Sequence, residues 1–365
     1  MAEHQISTAG VHRWVIELFT AAGSNTQEAT LTADHLVGAN LAGHDSHGVG
    51  MVPRYVKSWH GNSLQLNRQI ELAVDTGPMV VADGGMGMGQ SVAWQAMQVG
   101  IARAKAHGVA LLGLRHAHHI GRVGHWAEMA VSEGLVSIHF TNALGGKPMV
   151  APHGGAEARY LTNPFTVGIP RANGEPVVLD FATSSIAAGK ARVAMNKGVP
   201  VPVGSTIDAQ GRPTTDPSVL FEEPMGAIRT FAEHKGHALA MVVELLGAAM
   251  IGGKATYPKN YPANFGVMNN MLAIVFDPAQ LGTGAAFETE TREFVQWVQS
   301  ARLDEVGEQL GGILLPGDPE RRARVARAES MPIDSSTMDE LRVAAQTVTA
   351  DTGKAVSDPV SLILA

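Results

Sequence analysis

Residues 109–125 read Val-Ala-Leu-Leu-Gly-Leu-Arg-His-Ala-His-His-Ile-Gly-Arg-Val-Gly-His, an apolar run that ends in a dense group of histidine and arginine. The apolar half is typical of a buried β-strand, and a helical pattern begins near Val123. Ligand-binding groups in α/β proteins commonly follow the carboxyl end of such a strand, where the next helix offers backbone N–H groups to an anion. The stretch therefore predicts an α/β fold with a ligand site after this strand.

Other short β-rich runs recur through the middle of the chain, with helical runs between them. Strands are predicted at 79–83, 109–114, 135–141, 165–169, 177–180 and 271–276. Helices are predicted within 7–42 and at 91–108, 123–133, 184–193, 235–252, 288–301 and 336–349. This order predicts an α/β domain at 73–284 and a helical domain formed by the terminal segments 1–72 and 285–365. Residues 197–217, rich in Pro and Gly, predict a long ordered loop.

Composition excludes several classes of protein. The chain has 365 residues, 45% hydrophobic and 17% charged, as expected of a large packed protein. The absence of cysteine excludes disulfides, thiol nucleophiles and cysteine-bound metals. A net charge of -7 gives no sign of nucleic-acid binding. The start of the chain lacks a signal-peptide pattern, and the most apolar stretch, 238–253, is too short and polar to span a membrane, so we expect a cytoplasmic protein.

The usual nucleotide-binding motifs are missing. The run 83–90, Asp-Gly-Gly-Met-Gly-Met-Gly-Gln, follows a strand, but its glycines do not fall at the G-x-G-x-x-G offsets. Neither the phosphate-binding loop of nucleoside triphosphatases nor G-x-S-x-G is present. Any dinucleotide cofactor must therefore use another kind of site.

The run His44-Asp-Ser-His47-Gly follows a predicted helix end. Histidine is the side chain best suited to proton exchange near neutral pH, and the glycines that follow allow close approach to the backbone. A polar turn that caps the next helix is the alternative. Chemistry alone leaves both open.

The group His116–His125 has two interpretations. Its arginines and helix start suit an oxyanion, whereas His118, His119 and His125 are conceivable zinc ligands. No pair of histidines one helical turn apart and no carboxylate at ligand spacing accompany them, so the sequence favours the oxyanion.

Asp180 closes an apolar strand, where an unpaired carboxylate is unfavourable. A pair with a histidine would orient the imidazole and favour its charged form. The alternative role, capping a helix near Ser184, is open to Thr183 and Ser184 instead. Further along, Lys235 opens an apolar helix, where it suits a phosphate or simply extends along the surface.

Taken together, these runs resemble the malate/L-lactate dehydrogenase-like family of NAD(P)-dependent 2-hydroxyacid oxidoreductases, a group distinct from the Rossmann lactate dehydrogenases. The matching signatures run in order along nearly the whole chain: DSHGV at 45–49, PRY at 53–55, GQ at 89–90, the His119 loop, TNP at 162–164, LDFAT at 179–183, HKG at 234–236 and LPG at 315–317.

The resemblance implies a non-Rossmann α/β fold with a helical domain built from both termini, and a homodimer or larger assembly with sites near the subunit interface. It places the proton donor and acceptor on His47, with His119 as a supporting histidine. NAD or NADP is the implied cofactor. Its contacts are implied at Pro176, Val178, Leu179, Asp180, Phe181, Ala182, His234, Lys235, Gly317, Asp318 and Pro319.

One position departs from the family pattern. Many members carry arginine four residues after the catalytic histidine, where it can hold the substrate carboxylate, but this chain has Met51. Arg54 and Arg122 are the candidate replacements, because a guanidinium binds a carboxylate through two hydrogen bonds. We favour Arg122, which lies close in sequence to His119. Further candidate substrate contacts are Ser46, Thr162 and Asn163.

The sequence therefore predicts an enzyme that interconverts 2-oxo and 2-hydroxy acids by hydride transfer. His47 exchanges the proton, Asp180 supports its charge, and Arg122 binds the carboxylate. The alternatives are a metal-dependent hydrolase or lyase built on His116–His125, and a non-catalytic protein that binds small molecules.

Overall fold

The described residues of the computed structural model are 3–262, 264 and 266–364. Within them, the α-helices are α1 (Thr8–Ala22), α2 (Thr26–Leu41), α3 (Val52–His60), α4 (Gly89–His107), α5 (Gly124–Ser132), α6 (Ala188–Lys197), α7 (His234–Gly247), α8 (Gly284–Gln299), α9 (Glu305–Leu310), α10 (Asp318–Ala326) and α11 (Ser335–Thr352). The strands are β1 (Glu3–Ser7), β2 (Glu71–Asp75), β3 (Met79–Asp83), β4 (Val109–His118), β5 (Val136–Leu144), β6 (Phe165–Ile169), β7 (Val177–Phe181), β8 (Thr206–Ile207), β9 (Pro213–Thr214), β10 (Ala227–Ile228), β11 (Met268–Phe276) and β12 (Ser330–Asp334).

Seven of the described strands form one mixed sheet in the order β2-β3-β4-β11-β5-β6-β7. Only β3 and β4 are parallel neighbours, joined through α4, and the other five neighbouring pairs are antiparallel. A Rossmann sheet is built from parallel strands with helical crossovers. The predicted non-Rossmann α/β fold is therefore confirmed.

Helices α4 and α5 cover the sheet through a shared apolar core. Met97 of α4 and Trp126 of α5 are almost completely buried there beside Leu112 of β4 and Met271 of β11. This packing fixes the loop between β4 and α5, which carries His119 and Arg122. The fold thus presents the predicted ligand loop at the end of a central strand.

The two ends of the chain form a second core. Trp14 and Phe19 of α1 pack there with Tyr55 of α3 and Leu341 of α11, and β1 pairs antiparallel with β12. Ser7 caps α1, because its Oγ accepts a hydrogen bond from the backbone N–H of Gly10 at 3.1 Å. The predicted domain boundaries themselves stay a prediction.

Two local expectations were wrong. The helix predicted to start near Ser184 starts at Ala188, because residues 183–185 remain extended against 229–231 through backbone hydrogen bonds. The predicted loop 197–217 contains β8 and β9, which form a small antiparallel sheet with β10. In the described part of the chain, no helix is both long enough and apolar enough to cross a bilayer.

Candidate active site

The turn that carries His47 follows α2 directly. Residues Asp45–His47 form a single turn of 3₁₀-helix. Asn40 organises it, since its Oδ1 accepts from the N–H of Val49 at 2.8 Å and its Nδ2 donates to Asp45 at 2.6 Å. A Cβ on Gly48 would lie 2.1 Å from Asn40 Oδ1, so this position requires glycine. The turn is therefore held in place by specific hydrogen bonds, more than the helix-capping turn considered from the sequence would need. We call this turn the platform.

Helix α10 and the residue that follows it anchor this platform from one face. Arg327, just after α10, donates to the carbonyl of Asn40 at 2.6 Å and to Asp45 at 2.7 Å. Arg324 donates to Glu128 of α5 at 2.8 Å, and Arg321 donates to the carbonyl of Pro176 at 3.1 Å. These arginines recur every third residue, so they share one face of the helix. We call Arg321, Arg324 and Arg327 the arginine row.

His47 lies beside a second imidazole. Its ring stacks on that of His119 with centroids 5.6 Å apart, and its Nδ1 lies 3.0 Å from Ser46 Oγ. Desolvation lowers the pKa of His47 to about 4, with His44 and Arg122 contributing and the charge of Asp180 opposing. At neutral pH the imidazole is therefore uncharged and able to accept a proton.

His119 is held from behind by two polar side chains. Tyr55 Oη lies 2.7 Å from His119 Nδ1, and Gln90 Nε2 donates to Tyr55 Oη at 2.9 Å. Burial, followed by the nearby His47, keeps the pKa of His119 well below its usual value. The start of α4 packs so closely here that a Cβ on Gly89 would lie 2.0 Å from the carbonyl oxygen of His119.

Asp180 is on β7 and is fully hydrogen-bonded. Thr166 Oγ1 donates to its Oδ1 at 2.7 Å, and the N–H of Gly124 donates to its Oδ2 at 2.8 Å. Arg122 Nη1 lies 4.0 Å from the same Oδ2. These donors keep Asp180 in place as a fixed negative charge, whose field reaches His47.

The two candidate arginines differ in their partners. Arg122 is only 3% exposed, and its Nη2 donates to Glu128 at 2.5 Å, so its charge is balanced within the protein. Arg54, on α3, has a buried Nε without a hydrogen-bond partner among the described residues. Burial lowers the pKa of Arg54, and its charge in turn helps to lower the pKa of His119. Of the two, Arg54 is therefore the arginine with no acidic partner among the described residues.

The predicted contacts Thr162 and Asn163 are hydrogen-bonded to other parts of the protein. Asn163 Nδ2 donates to the buried Glu244 at 2.7 Å, and its Oδ1 accepts from the N–H of Ala143 at 3.2 Å. The carbonyl of Thr162 accepts from Thr183. Both residues therefore brace the backbone, whereas Ser46 does lie beside His47.

Several of the predicted cofactor contacts are brought together. One cavity of about 60 Å³ is lined by four of them, Pro176, Val178, Asp180 and Gly317, together with Arg122 and Arg321. Phe181 contacts Phe231 with ring centroids 5.3 Å apart, which links β7 to the segment just before α7. The predicted His234 and Lys235 are exposed at the start of α7. Asp318 accepts from Arg321 at 2.6 Å and from the N–H of Leu315 at 2.7 Å, which shapes the Gly317–Pro319 turn.

Sequence reasoning missed the residues that hold this site together. Tyr55 and Gln90 lie in sequence runs that matched the family pattern, but they are far apart in the sequence, so their contact could not be predicted from spacing. Glu128, which pairs with both Arg122 and Arg324, gave no local signal. The three-residue repeat of the arginine row was visible, but nothing in it indicated which carboxylates it meets.

The geometry does not favour the metal alternative. In the described part of the chain, no three His, Asp or Glu side chains are grouped so as to hold a metal ion. His118 is fully buried and edge-on to Tyr55, and the ring of His125 contacts that of His35 with centroids 4.5 Å apart. The histidines of this run thus point into different surroundings.

Comparison with known proteins places the chain among dehydrogenases. A family model described as malate/L-lactate dehydrogenase matches residues 6–342. Hydroxycarboxylate dehydrogenase B of Escherichia coli O157:H7 is 44% identical over 347 residues, which cover 94% of both chains. This agrees with the runs at 43–51, 118–128, 197–202 and 230–236, which are similar to that enzyme.

Solved structures give the same result. A structure from Escherichia coli superposes with a TM-score of 0.90 at 43% identity, covering 94% of this chain and 95% of that one. The sulfolactate dehydrogenase of Methanocaldococcus jannaschii gives 0.84 at 28% identity, covering 96% and 98%. The agreement extends over whole chains and therefore includes both the sheet and the terminal helices.

Proposed function

The chain belongs to the malate/L-lactate dehydrogenase family of oxidoreductases that act on hydroxy and oxo acids, and on this premise we propose that it interconverts a 2-oxo acid and a 2-hydroxy acid with NAD or NADP. The observation that carries the proposal is the pairing of His47 with His119 beside the fixed charge of Asp180. A histidine in that setting can exchange the proton that accompanies hydride transfer.

His47 has a role in each direction. In oxidation the neutral imidazole takes the hydroxyl proton of the 2-hydroxy acid, and in reduction the protonated imidazole returns it to the forming alkoxide. Asp180 favours the charged imidazole and so opposes the desolvation that lowers the pKa. A nicotinamide cofactor, when bound, would supply or accept the hydride.

The cavity residues would contact only part of a dinucleotide cofactor, since the cavity measures about 60 Å³. Gly317 has φ +98°, which favours glycine, and a Cβ there would lie 2.7 Å from Arg321 Nη1, so the guanidinium packs directly against this backbone. The residues that would hold the cofactor are Pro176–Ala182, Gly317–Pro319 and the pair His234 and Lys235, whose charge and helix start suit a phosphate. The preference for NAD or NADP is to be determined by comparing turnover with each of the two cofactors.

We assign the substrate carboxylate to Arg54 in preference to Arg122. Arg122 already donates to Glu128 and lies near Asp180, whereas Arg54 Nε has no such partner among the described residues. An incoming carboxylate would satisfy the half-buried guanidinium of Arg54, whose Nε is buried. Arg122 would instead keep Asp180 and Glu128 in place.

The carboxylate assignment is tested with Arg54→Gln and Arg122→Gln. In Arg54→Gln, a charged hydrogen-bonded pair worth about 1.5 to 3 kcal/mol is lost, so KM for the 2-oxo acid should rise about 10- to 150-fold. Arg122→Gln should mainly lower kcat, because it disturbs Asp180. A large KM effect in Arg122→Gln with none in Arg54→Gln would return the role to Arg122.

The activity itself is tested with a panel of pyruvate, oxaloacetate, hydroxypyruvate, phenylpyruvate and a cyclic imine acid. Each is combined with NADH and with NADPH, and turnover is followed by absorbance. His47→Ala should abolish turnover and retain cofactor binding, while His107→Ala, which removes an exposed imidazole, is the matched control. Cofactor binding without turnover of any acid would favour the non-catalytic alternative.

We further propose that α7 packs against a second copy of the chain. Met241, Val242, Leu245 and Met250 are 39–55% exposed on this helix and the turn after it, and apolar surface of this kind marks an interface. His234 and Lys235 at the start of the same helix would then lie near the interface. Leu245→Glu should convert a dimer into a monomer in analytical ultracentrifugation, and an unchanged sedimentation coefficient would place the interface elsewhere.

A further inference from the structure

The buried amide of Gln90 has one consistent orientation. Its Nε2 lies 2.9 Å from Tyr55 Oη and 3.3 Å from the carbonyl oxygen of His119. A carbonyl accepts and never donates, so the atom facing it must be the NH₂ group. The second N–H of Gln90 then points to Tyr55 Oη, which acts as the acceptor in that contact.

This orientation fixes the proton of Tyr55. The hydroxyl has a single proton, and its oxygen already accepts from Gln90. Burial raises the pKa of Tyr55, so the hydroxyl stays protonated. Among the described residues, the other hydrogen-bonding neighbour of Tyr55 Oη is His119 Nδ1 at 2.7 Å, and Tyr55 therefore donates to it.

The hydrogen bond from Tyr55 determines the tautomer of His119. Nδ1 accepts a hydrogen bond and is unprotonated, and with a pKa held well below its usual value the ring is neutral. The proton of a neutral imidazole then resides on Nε2. The ring is only partly buried and stacks on His47, so this N–H is available to a ligand that binds beside the two imidazoles.

We propose that Gln90 and Tyr55 are positioning residues, which hold His119 as an Nε2–H donor for the 2-oxo oxygen of the substrate. His119 donates only a hydrogen bond and transfers no proton, and His47 makes the protonation. Such a donor stabilises the negative charge that develops on the oxygen. The role at the substrate rests on the proposed function, whereas the tautomer does not.

The tautomer is measured directly in the protein without ligand. Histidines are labelled with ¹⁵N, long-range ¹H–¹⁵N spectra are recorded at pH 7.5, and the His119 signals are identified by their loss in His119→Gln. We expect an unprotonated Nδ1 and a protonated Nε2. A protonated Nδ1 in the wild-type protein would overturn the proposal, whether or not any oxo acid is turned over.

Tyr55→Phe then tests the consequence. Without the hydroxyl, the Nε2–H tautomer loses its support, so a mixture of tautomers should appear and kcat should fall about tenfold or more, with little change in cofactor binding. Tyr160→Phe is the matched control, because Tyr160 Oη also lies near a histidine, His237, at 3.4 Å. An altered tautomer with unchanged kcat would refute the donor role. The predicted tautomer in a protein that reduces no oxo acid would instead refute the proposed function, and the assignment of the His119 tautomer would still hold.

Discussion

The free energy of unfolding should depend on pH through His139, which lies in the middle of β5. The side chain is fully buried, with Ser137 Oγ 2.9 Å from its Nε2 and no partner for Nδ1 among the described residues. Desolvation lowers the pKa of His139 to about 3. The unfolded chain therefore binds this proton more readily than the folded protein, and stability is lost as the pH falls below the unfolded value of about 6.5.

The magnitude follows from these two pKa values. Between pH 7 and pH 5 the unfolded histidine becomes almost fully protonated while the folded one stays neutral, which costs about 2 kcal/mol of unfolding free energy. His139→Gln removes the titrating group. The free energy lost between pH 7 and pH 5 should therefore be about 2 kcal/mol smaller in this variant than in the wild type.

The measurement is urea unfolding, followed by circular dichroism at several pH values from 7 to 5. His107→Gln, which replaces an exposed histidine in the same way, reports any effect of the substitution type. Stability at pH 7 is itself expected to change, so only the pH dependence decides. Parallel curves for His139→Gln and wild type over this range would refute the reasoning.

Three further predictions concern the site. With a pKa of about 4 for His47, kcat/KM for hydroxy-acid oxidation should stay level from pH 8 to pH 5 and fall below about pH 4; a decline that begins at 6.5 would contradict the desolvation of His47. Gly124→Ala would place a methyl group 2.4 Å from Arg122 Nη1 and 2.7 Å from Asp180 Oδ2. We therefore expect kcat/KM to fall by about 100-fold. Wild-type kinetics in this variant would show that the contact is unimportant. Arg327→Gln should lower kcat about tenfold with cofactor affinity, measured by calorimetry, unchanged; equal losses in both would indicate general unfolding instead.

The sequence predicted the sheet well where strands are apolar and bounded by turn residues. β3 and β6 have the predicted limits, and β4, β5 and β11 extend beyond them. β1 and β12 were not predicted, because each is short and depends on pairing with the opposite end of the chain. The start of α6 was placed too early, because tertiary hydrogen bonds keep residues 183–185 extended.

The site was predicted as a set of residues rather than as a geometry. His47, His119 and Asp180 were named from local chemistry and family resemblance, and the structure places their rings and charges near one another. The choice between Arg54 and Arg122 depends on which guanidinium already has a carboxylate. That partner, Glu128, is six residues from Arg122 but on the following helix, and sequence spacing did not reveal the contact.

The arginine row also affects when the site can form during synthesis of the chain. Arg327 is made 282 residues after its partner Asp45. At roughly 5 to 20 residues per second, the ribosome needs on the order of a quarter of a minute to a minute to cover that distance. During this time the residues of the turn have been made, but Arg327 and the β12 and α11 side chains that share a core with Val49 have not. The turn with His47 can therefore be completed only late in synthesis, and a chain cut before α10 would lack both the arginine row and this part of the core.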